Sequence, residues 1–203
     1  MTTRVLTPDE LDDAVALLAG GNVLAVPTDT VYGLAAVVGA AASVGRLSAL
    51  KQRPELVPIA VLCASVDDAR GVATSWPQGA LALSALWPGP LTLVVPAPAG
   101  LAQRLGSSNS VGVRVPDDAI CRALLERTGP LAVTSANLHG APPATTADEV
   151  LAIFEGSGLA GVLDAGTRDG EVSSVVDVTG IAPVIVREGA LTRHELRAML
   201  TQS

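Results

Sequence analysis

Val23-Leu24-Ala25-Val26-Pro27-Thr28-Asp29-Thr30-Val31-Tyr32-Gly33-Leu34 sets a short apolar run directly against two hydroxyls, a carboxylate and a phenol, and closes on a glycine. A run of that length bounded by proline reads as a buried strand, Val23 to Val26, and the polar residues leaving it read as a strand-end loop. Strand-end loops in α/β folds commonly form ligand sites. The same side chains also suit an Asx or Ser/Thr turn that satisfies only local backbone, and both readings stand.

Working outward, Thr7-Pro8-Asp9-Glu10 is a helix start with capping-box spacing and proline at the first helical position. Leu11, Val15 and Leu18 then share a face, and Gly20-Gly21 ends the helix. Downstream, helices are predicted over Ala41 to Leu50, near Val66 to Ala73 and over Asp118 to Arg127. Two more open at Thr146-Ala147-Asp148-Glu149 and Thr192-Arg193-His194-Glu195. Strands are predicted at Ile59 to Cys63, Leu91 to Val95, Val111 to Val115, Leu131 to Thr134, Gly161 to Leu163, Ser174 to Val178 and Val184 to Arg187. This alternation predicts an α/β fold with an open, twisted mixed sheet and flanking helices.

The 203 residues are 49% hydrophobic and 16% charged, enough for one sizeable core, and residues 1–203 are expected to form a single domain. A net charge of −7 disfavours a surface built for nonspecific nucleic-acid backbones, so any RNA partner is expected to be indirect. Cys63 and Cys121 form no Cys-x-x-Cys, which points to neither a zinc site nor a disulfide framework and fits a reducing cytoplasm. The N-terminus shows no signal-peptide pattern. The uncharged stretch between Arg70 and Arg104 contains Pro77, Pro88, Pro90, Pro96 and Pro98, which would break a lipid-exposed helix; no membrane span is expected.

Lys51 is the only lysine and Tyr32 the only tyrosine. Lys51 and Arg53 follow a predicted helix and precede Pro54, where an ammonium and a guanidinium can grip phosphate oxygens. A solvated helix end whose cations favour the dipole is the other reading. Arg114 stands in an otherwise apolar strand, either as a carboxylate clamp or paired with an Asp or Glu of the fold. Thr134-Ser135-Ala136-Asn137, Ser173-Ser174-Val175-Val176-Asp177 and Arg187-Glu188-Gly189 supply further strand-end polar groups. His139 and His194 make no metal pair and are expected at the surface. Walker A, dinucleotide-binding and nucleophile-elbow motifs do not occur.

Taken in order, Pro27 to Leu34, Lys51 to Pro54 with Pro58, Trp87-Pro88-Gly89-Pro90-Leu91-Thr92, Val111 to Pro116, Thr134 to Asn137 with Gly140, Ser173 to Asp177, and Arg187 with Gly189 resemble the YrdC-like family of L-threonylcarbamoyladenylate synthases over nearly the whole chain. The resemblance implies a YrdC-like fold with a positively charged central cavity. It also implies the ATP-dependent conversion of L-threonine and bicarbonate to threonylcarbamoyl-AMP and pyrophosphate, with Mg²⁺ carried on ATP. The product would feed the transferase machinery that makes N6-threonylcarbamoyladenosine at position 37 of tRNA.

By the same resemblance, Lys51 and Arg53 are the catalytic cations. Thr30, Tyr32, Arg114, Thr134 and Ser173 are threonine-binding positions, and Lys51, Arg53, Ser110, Ser135, Asn137 and Arg187 are ATP-binding positions. No resident metal site is implied. The sequence departs from the family in lacking a histidine near Leu62 or Cys63, and in carrying His139, Pro143, Ser174 and Glu188 where Ser, Ser, Thr and Pro are frequent. Glu188 sets a carboxylate beside Arg187. Two other functions are associated with the fold: carbamoyl transfer in hydrogenase maturation, and RNA binding or ribosome maturation.

Overall fold

The computed structural model describes residues 2–51, 58–168 and 171–201. Within them a single ten-stranded mixed sheet is flanked by helices on both faces, as the alternating pattern predicts. In chain order the elements are β1 (Arg4–Leu6), α1 (Leu11–Ala19), β2 (Leu24–Val26), β3 (Gly33–Val37), α2 (Ala41–Leu50), β4 (Ala60–Leu62), α3 (Val66–Val72), α4 (Gln78–Leu83) and β5 (Leu91–Pro96). They continue with α5 (Ala99–Arg104), β6 (Ser110–Arg114), α6 (Ala119–Thr128), β7 (Leu131–Ser135), α7 (Ala147–Phe154), β8 (Gly161–Leu163), β9 (Ser174–Asp177), β10 (Val184–Arg187) and α8 (Arg193–Thr201). Strand order across the sheet is β1-β8-β2-β3-β7-β4-β6-β5-β9-β10.

The capping signals hold where they were legible. Glu10 Oε2 accepts from the Thr7 N–H at 2.9 Å, and Glu195 Oε2 accepts from the Thr192 N–H at 2.7 Å. Thr146 Oγ1 accepts from the Glu149 N–H at 3.2 Å and the Asp118 carboxylate from the Cys121 N–H at 2.7 Å.

Side chains alternate across the strands, and that alternation partitions the molecule. Leu34, Ala36, Val61, Leu91, Leu93, Val113 and Val176 belong to one apolar cluster with Val44, Leu47 and Leu50 of α2 and Phe154 of α7. Their neighbours in the chain face the other way. Leu24, Val26, Ala35, Leu62, Leu131 and Val133 join a second cluster with Ala14 and Leu18 of α1 and Leu124 and Leu125 of α6. Each fully buried leucine or valine contributes about 1.5–3 kcal/mol. Leu62 and Val133 of this second cluster also border a cavity. There the same sheet face continues with Thr92, Val94, Gly112, Arg114 and Val175 rather than with more aliphatic side chains.

Two strands and two helices went unread in the sequence. β3 is Gly-Leu-Ala-Ala-Val, without strand alternation, and is specified by its neighbours: it pairs antiparallel with both β2 and β7. Gly33 is required there because a Cβ would lie 2.6 Å from Val133 Cγ1. β1 is three residues long and pairs with β8, from the far end of the chain. α4 and α5, six residues each, sit inside the proline-punctuated stretch after Pro77 and Pro98. Among the described residues no helix is long and apolar enough to cross a membrane.

Candidate active site

A cavity of about 300 Å³ opens on the sheet face that carries Arg114. Eight predicted site residues line it: Thr30, Tyr32, Ser110, Arg114, Thr134, Ser135, Ser173 and Arg187. They come from the loop after β2, from β6 and β7, from the residue before β9 and from the end of β10. Lys51 and Asn137 stand behind Ser135 rather than on the wall. Arg53 lies outside the described residues.

Arg114 is buried, and three of its N–H groups are engaged. Nε donates to the Gly89 carbonyl at 3.1 Å, Nη1 to Thr30 Oγ1 at 3.1 Å, and Nη2 to Asp29 Oδ1 at 2.5 Å. The alternative left open in the sequence, a carboxylate partner within the fold, is therefore present, and the Asp29–Arg114 pair is itself buried. The Trp87-Pro88 bond before Gly89 is cis, and a Cβ at position 89 would meet Leu86 O at 2.6 Å.

The Thr28–Val31 loop is internally bonded. Thr28 Oγ1 donates to the Val31 carbonyl at 2.6 Å and lies 2.9 Å from Thr30 Oγ1. Thr28 Oγ1 also accepts from the Thr30 and Val31 N–H groups at 3.2 Å each, and Thr30 Oγ1 accepts from Arg114, which leaves Thr30 a second acceptor lone pair.

Tyr32 borders the cavity but does not offer it a free phenol. Its OH donates to the Gly166 carbonyl at 2.9 Å and accepts from the Ala165 N–H at 3.1 Å. Burial, opposed by the Ala165 hydrogen bond, raises its pKa. Arg168 lies over the Tyr32 ring at 5.8 Å, donates to Asp118 at 2.6 Å, and reaches the Thr28 carbonyl at 3.5 Å. Sequence reading passed over Arg168, the role of Asp118 as its partner and the pairing of Asp29; the one available signal was Asp29, the lone charge between Asp13 and Arg46.

Lys51 ends α2 and is 3% exposed, so it is no solvated helix terminus. Its ammonium meets the Ser135 carbonyl at 2.6 Å, Asn137 Oδ1 at 2.7 Å and Ser135 Oγ at 3.2 Å. Asn137 is fixed in turn by donating to the Ala141 carbonyl at 2.6 Å.

Across the cavity, Arg187 donates through Nε and Nη2 to the Ser173 carbonyl at 3.0 and 2.7 Å, and Ser173 Oγ lies 3.0 Å from Thr92 Oγ1. Arg187 has no carboxylate partner among the described residues. Burial, and then the nearby Arg114 charge, lower its pKa. Glu188, its neighbour in sequence, instead pairs with Arg193 at 3.2 Å and does not neutralise it. Ser174 is fully buried and takes N–H groups from Gly189 and Leu191, so at this position a serine hydroxyl is structural. His139 and His194 are exposed, and both cysteines are buried free thiols.

Residues 16–189 match the profile of the family described as Telomere recombination, Sua5/YciO/YrdC. This chain belongs to that family. The threonylcarbamoyl-AMP synthase of Bacillus subtilis is 34% identical over 98% of this chain, which spans 59% of that protein's length. Pyrococcus abyssi Sua5, solved in complex with L-threonine, is 31% identical and superposes with a TM-score of 0.91, covering 98% of this chain and 61% of its own. Escherichia coli YciO shares the fold, with a TM-score of 0.83 at 24% identity over 94% of this chain and 97% of its own.

Proposed function

We propose that this chain is a threonylcarbamoyl-AMP synthase, joining L-threonine and bicarbonate as a carbamate and transferring AMP to it from MgATP with release of pyrophosphate and water. One observation carries the reading. Two guanidiniums of different charge balance share one cavity: Arg114 neutralised by Asp29, and Arg187 without an acidic partner among the described residues. A neutralised fork suits the carboxylate of a zwitterion, and an uncompensated cation suits a polyanion. The family relationship supplies the substrates that match: an amino acid and a nucleoside triphosphate.

In this reading Arg114 takes the threonine carboxylate. Thr30 accepts from the ammonium or side-chain hydroxyl, while Ser173, Thr134 and Tyr32 complete the amino-acid end. Arg187, Ser110 and Ser135 hold ATP, and Asn137, the other ATP-site position, supports Ser135 from behind by accepting from its Oγ at 2.6 Å. Lys51 and Arg53 offset charge developing on the triphosphate, with Mg²⁺ entering as part of the substrate.

No enzyme nucleophile is needed. The threonine amine attacks the carbon of bicarbonate or its dehydrated form, water departs, and a carbamate oxygen displaces pyrophosphate at the α-phosphorus. The protein contributes alignment, charge and exclusion of water from the labile carbamate. The product would pass to a tRNA-modifying transferase in the cytoplasm, with tRNA an indirect partner.

The test is to incubate pure protein with ATP, Mg²⁺ and bicarbonate, with and without L-threonine. Threonine-dependent pyrophosphate together with the threonylcarbamoyl adenylate is the expected result; pyrophosphate independent of threonine contradicts the reading.

A further inference from the structure

Asp29 approaches Arg114 from outside the substrate cavity. It borders a second, polar cavity of about 480 Å³, and Thr28 and Thr30 form the wall common to the two. The Asp29–Arg114 pair and Thr30 are thus the partition between them, with Arg114 presented to the first cavity and Asp29 to the second. The Arg114 side chain is 7% exposed and that of Asp29 12%, so neither charge is screened by bulk water.

Three of the five guanidinium donors are taken, one each on Nε, Nη1 and Nη2. One N–H remains on each Nη, the pair required for a two-point grip on a carboxylate. A guanidinium this deeply buried would be costly alone and free to turn about its side-chain torsions. Asp29 supplies the opposing charge and fixes Nη2, so an incoming carboxylate meets a cation already desolvated and oriented.

We propose, building on the functional reading above, that Asp29 is a positioning residue that sets Arg114 for the substrate amino acid's carboxylate. It acts from behind the guanidinium and need not touch the substrate. The opposite role is the natural competitor: an aspartate that occupies Arg114 and must be displaced would weaken substrate binding. The two roles predict opposite signs.

The experiment measures KM for L-threonine and for ATP, with kcat, in the wild type, Asp29→Asn and Asp29→Ala, each checked for cooperative thermal unfolding. Asp29→Asn keeps an oxygen for Nη2 and guards against loss of fold in the alanine variant. A positioning role raises the threonine KM about tenfold or more in Asp29→Ala, raises it less in Asp29→Asn, and leaves the ATP KM within about twofold. A threonine KM that falls in either variant, or ATP and threonine KM values that rise together, overturns the proposal. If the wild type makes no threonine-dependent pyrophosphate, the functional reading itself fails and this proposal fails with it. Normal wild-type turnover with unaltered Asp29 variants overturns only the positioning role.

Discussion

The Lys51 ammonium and the Ser135 carbonyl lie 2.6 Å apart, tying the end of α2 to the end of β7 beneath the cavity wall. The lone lysine is therefore both a charge near the proposed phosphate site and a fastener for Ser135 and Asn137, two residues of the proposed ATP site. Lys51→Ala should abolish pyrophosphate release and also lower stability. Leaving buried acceptors without a donor costs about 1–3 kcal/mol, or roughly 2–4 °C of Tm per kcal/mol for a chain of this size. Turnover near the wild-type rate would remove Lys51 from the mechanism, and an unchanged Tm would remove it as a fastener.

Arg114→Ala should raise the threonine KM more than the ATP KM, and should strand the Asp29 carboxylate in a buried setting. Breaking one side of such a pair costs about 3–5 kcal/mol, a Tm decrease on the order of 10 °C. Combining it with Asp29→Asn should restore most of the stability and none of the threonine affinity. The check is a double-mutant cycle followed by both thermal unfolding and KM.

The framework was readable because capping boxes, apolar runs and glycine stops state themselves locally, as at Thr146 and Gly129. The cavity face was partly readable. Ser110-Val111-Gly112-Val113-Arg114 alternates small or polar with valine, and the structure puts Val113 in the core, Ser110, Gly112 and Arg114 on the cavity, and Val111 in the core at the cavity's border. What could not be read were relations made by tertiary contact. β3 is a strand because β2 and β7 bracket it; Asp29 and Asp118 reach Arg114 and Arg168 over 85 and 50 residues of sequence. Likewise, nothing in Arg187-Glu188 announces that Glu188 turns to Arg193 and leaves Arg187 to the cavity.

Gly189 offers a third test. A Cβ at this position would overlap the Val172 carbonyl oxygen and sit 2.8 Å from that of Ser173, the oxygen that receives both Arg187 hydrogen bonds. Gly189→Ala must displace backbone, at about 1–3 kcal/mol for an overpacked site. Because the strain falls on the Arg187–Ser173 contact, the ATP KM should rise with the loss of Tm. A variant as stable as wild type, with unchanged ATP kinetics, would show that this segment yields freely.

The buried thiols predict the alkaline limit of stability. Burial, reinforced by the charge of Asp68, pushes the Cys63 thiol from an ordinary value near 9 up to about 12, and burial raises that of Cys121 as well. Above pH 9 an unfolded thiol loses its proton while the native one keeps it, so the native state binds more protons and stability falls as pH rises. The slope is about 1.4 kcal/mol per pH unit for each thiol, and their contribution is complete below pH 9. Urea unfolding at pH 8, 9, 10 and 11 should show the decline beginning near pH 9. Cys63→Ala should be less stable at pH 8 but shed one thiol's share of the slope above it; an identical slope in the variant would show that Cys63 titrates normally in the native state.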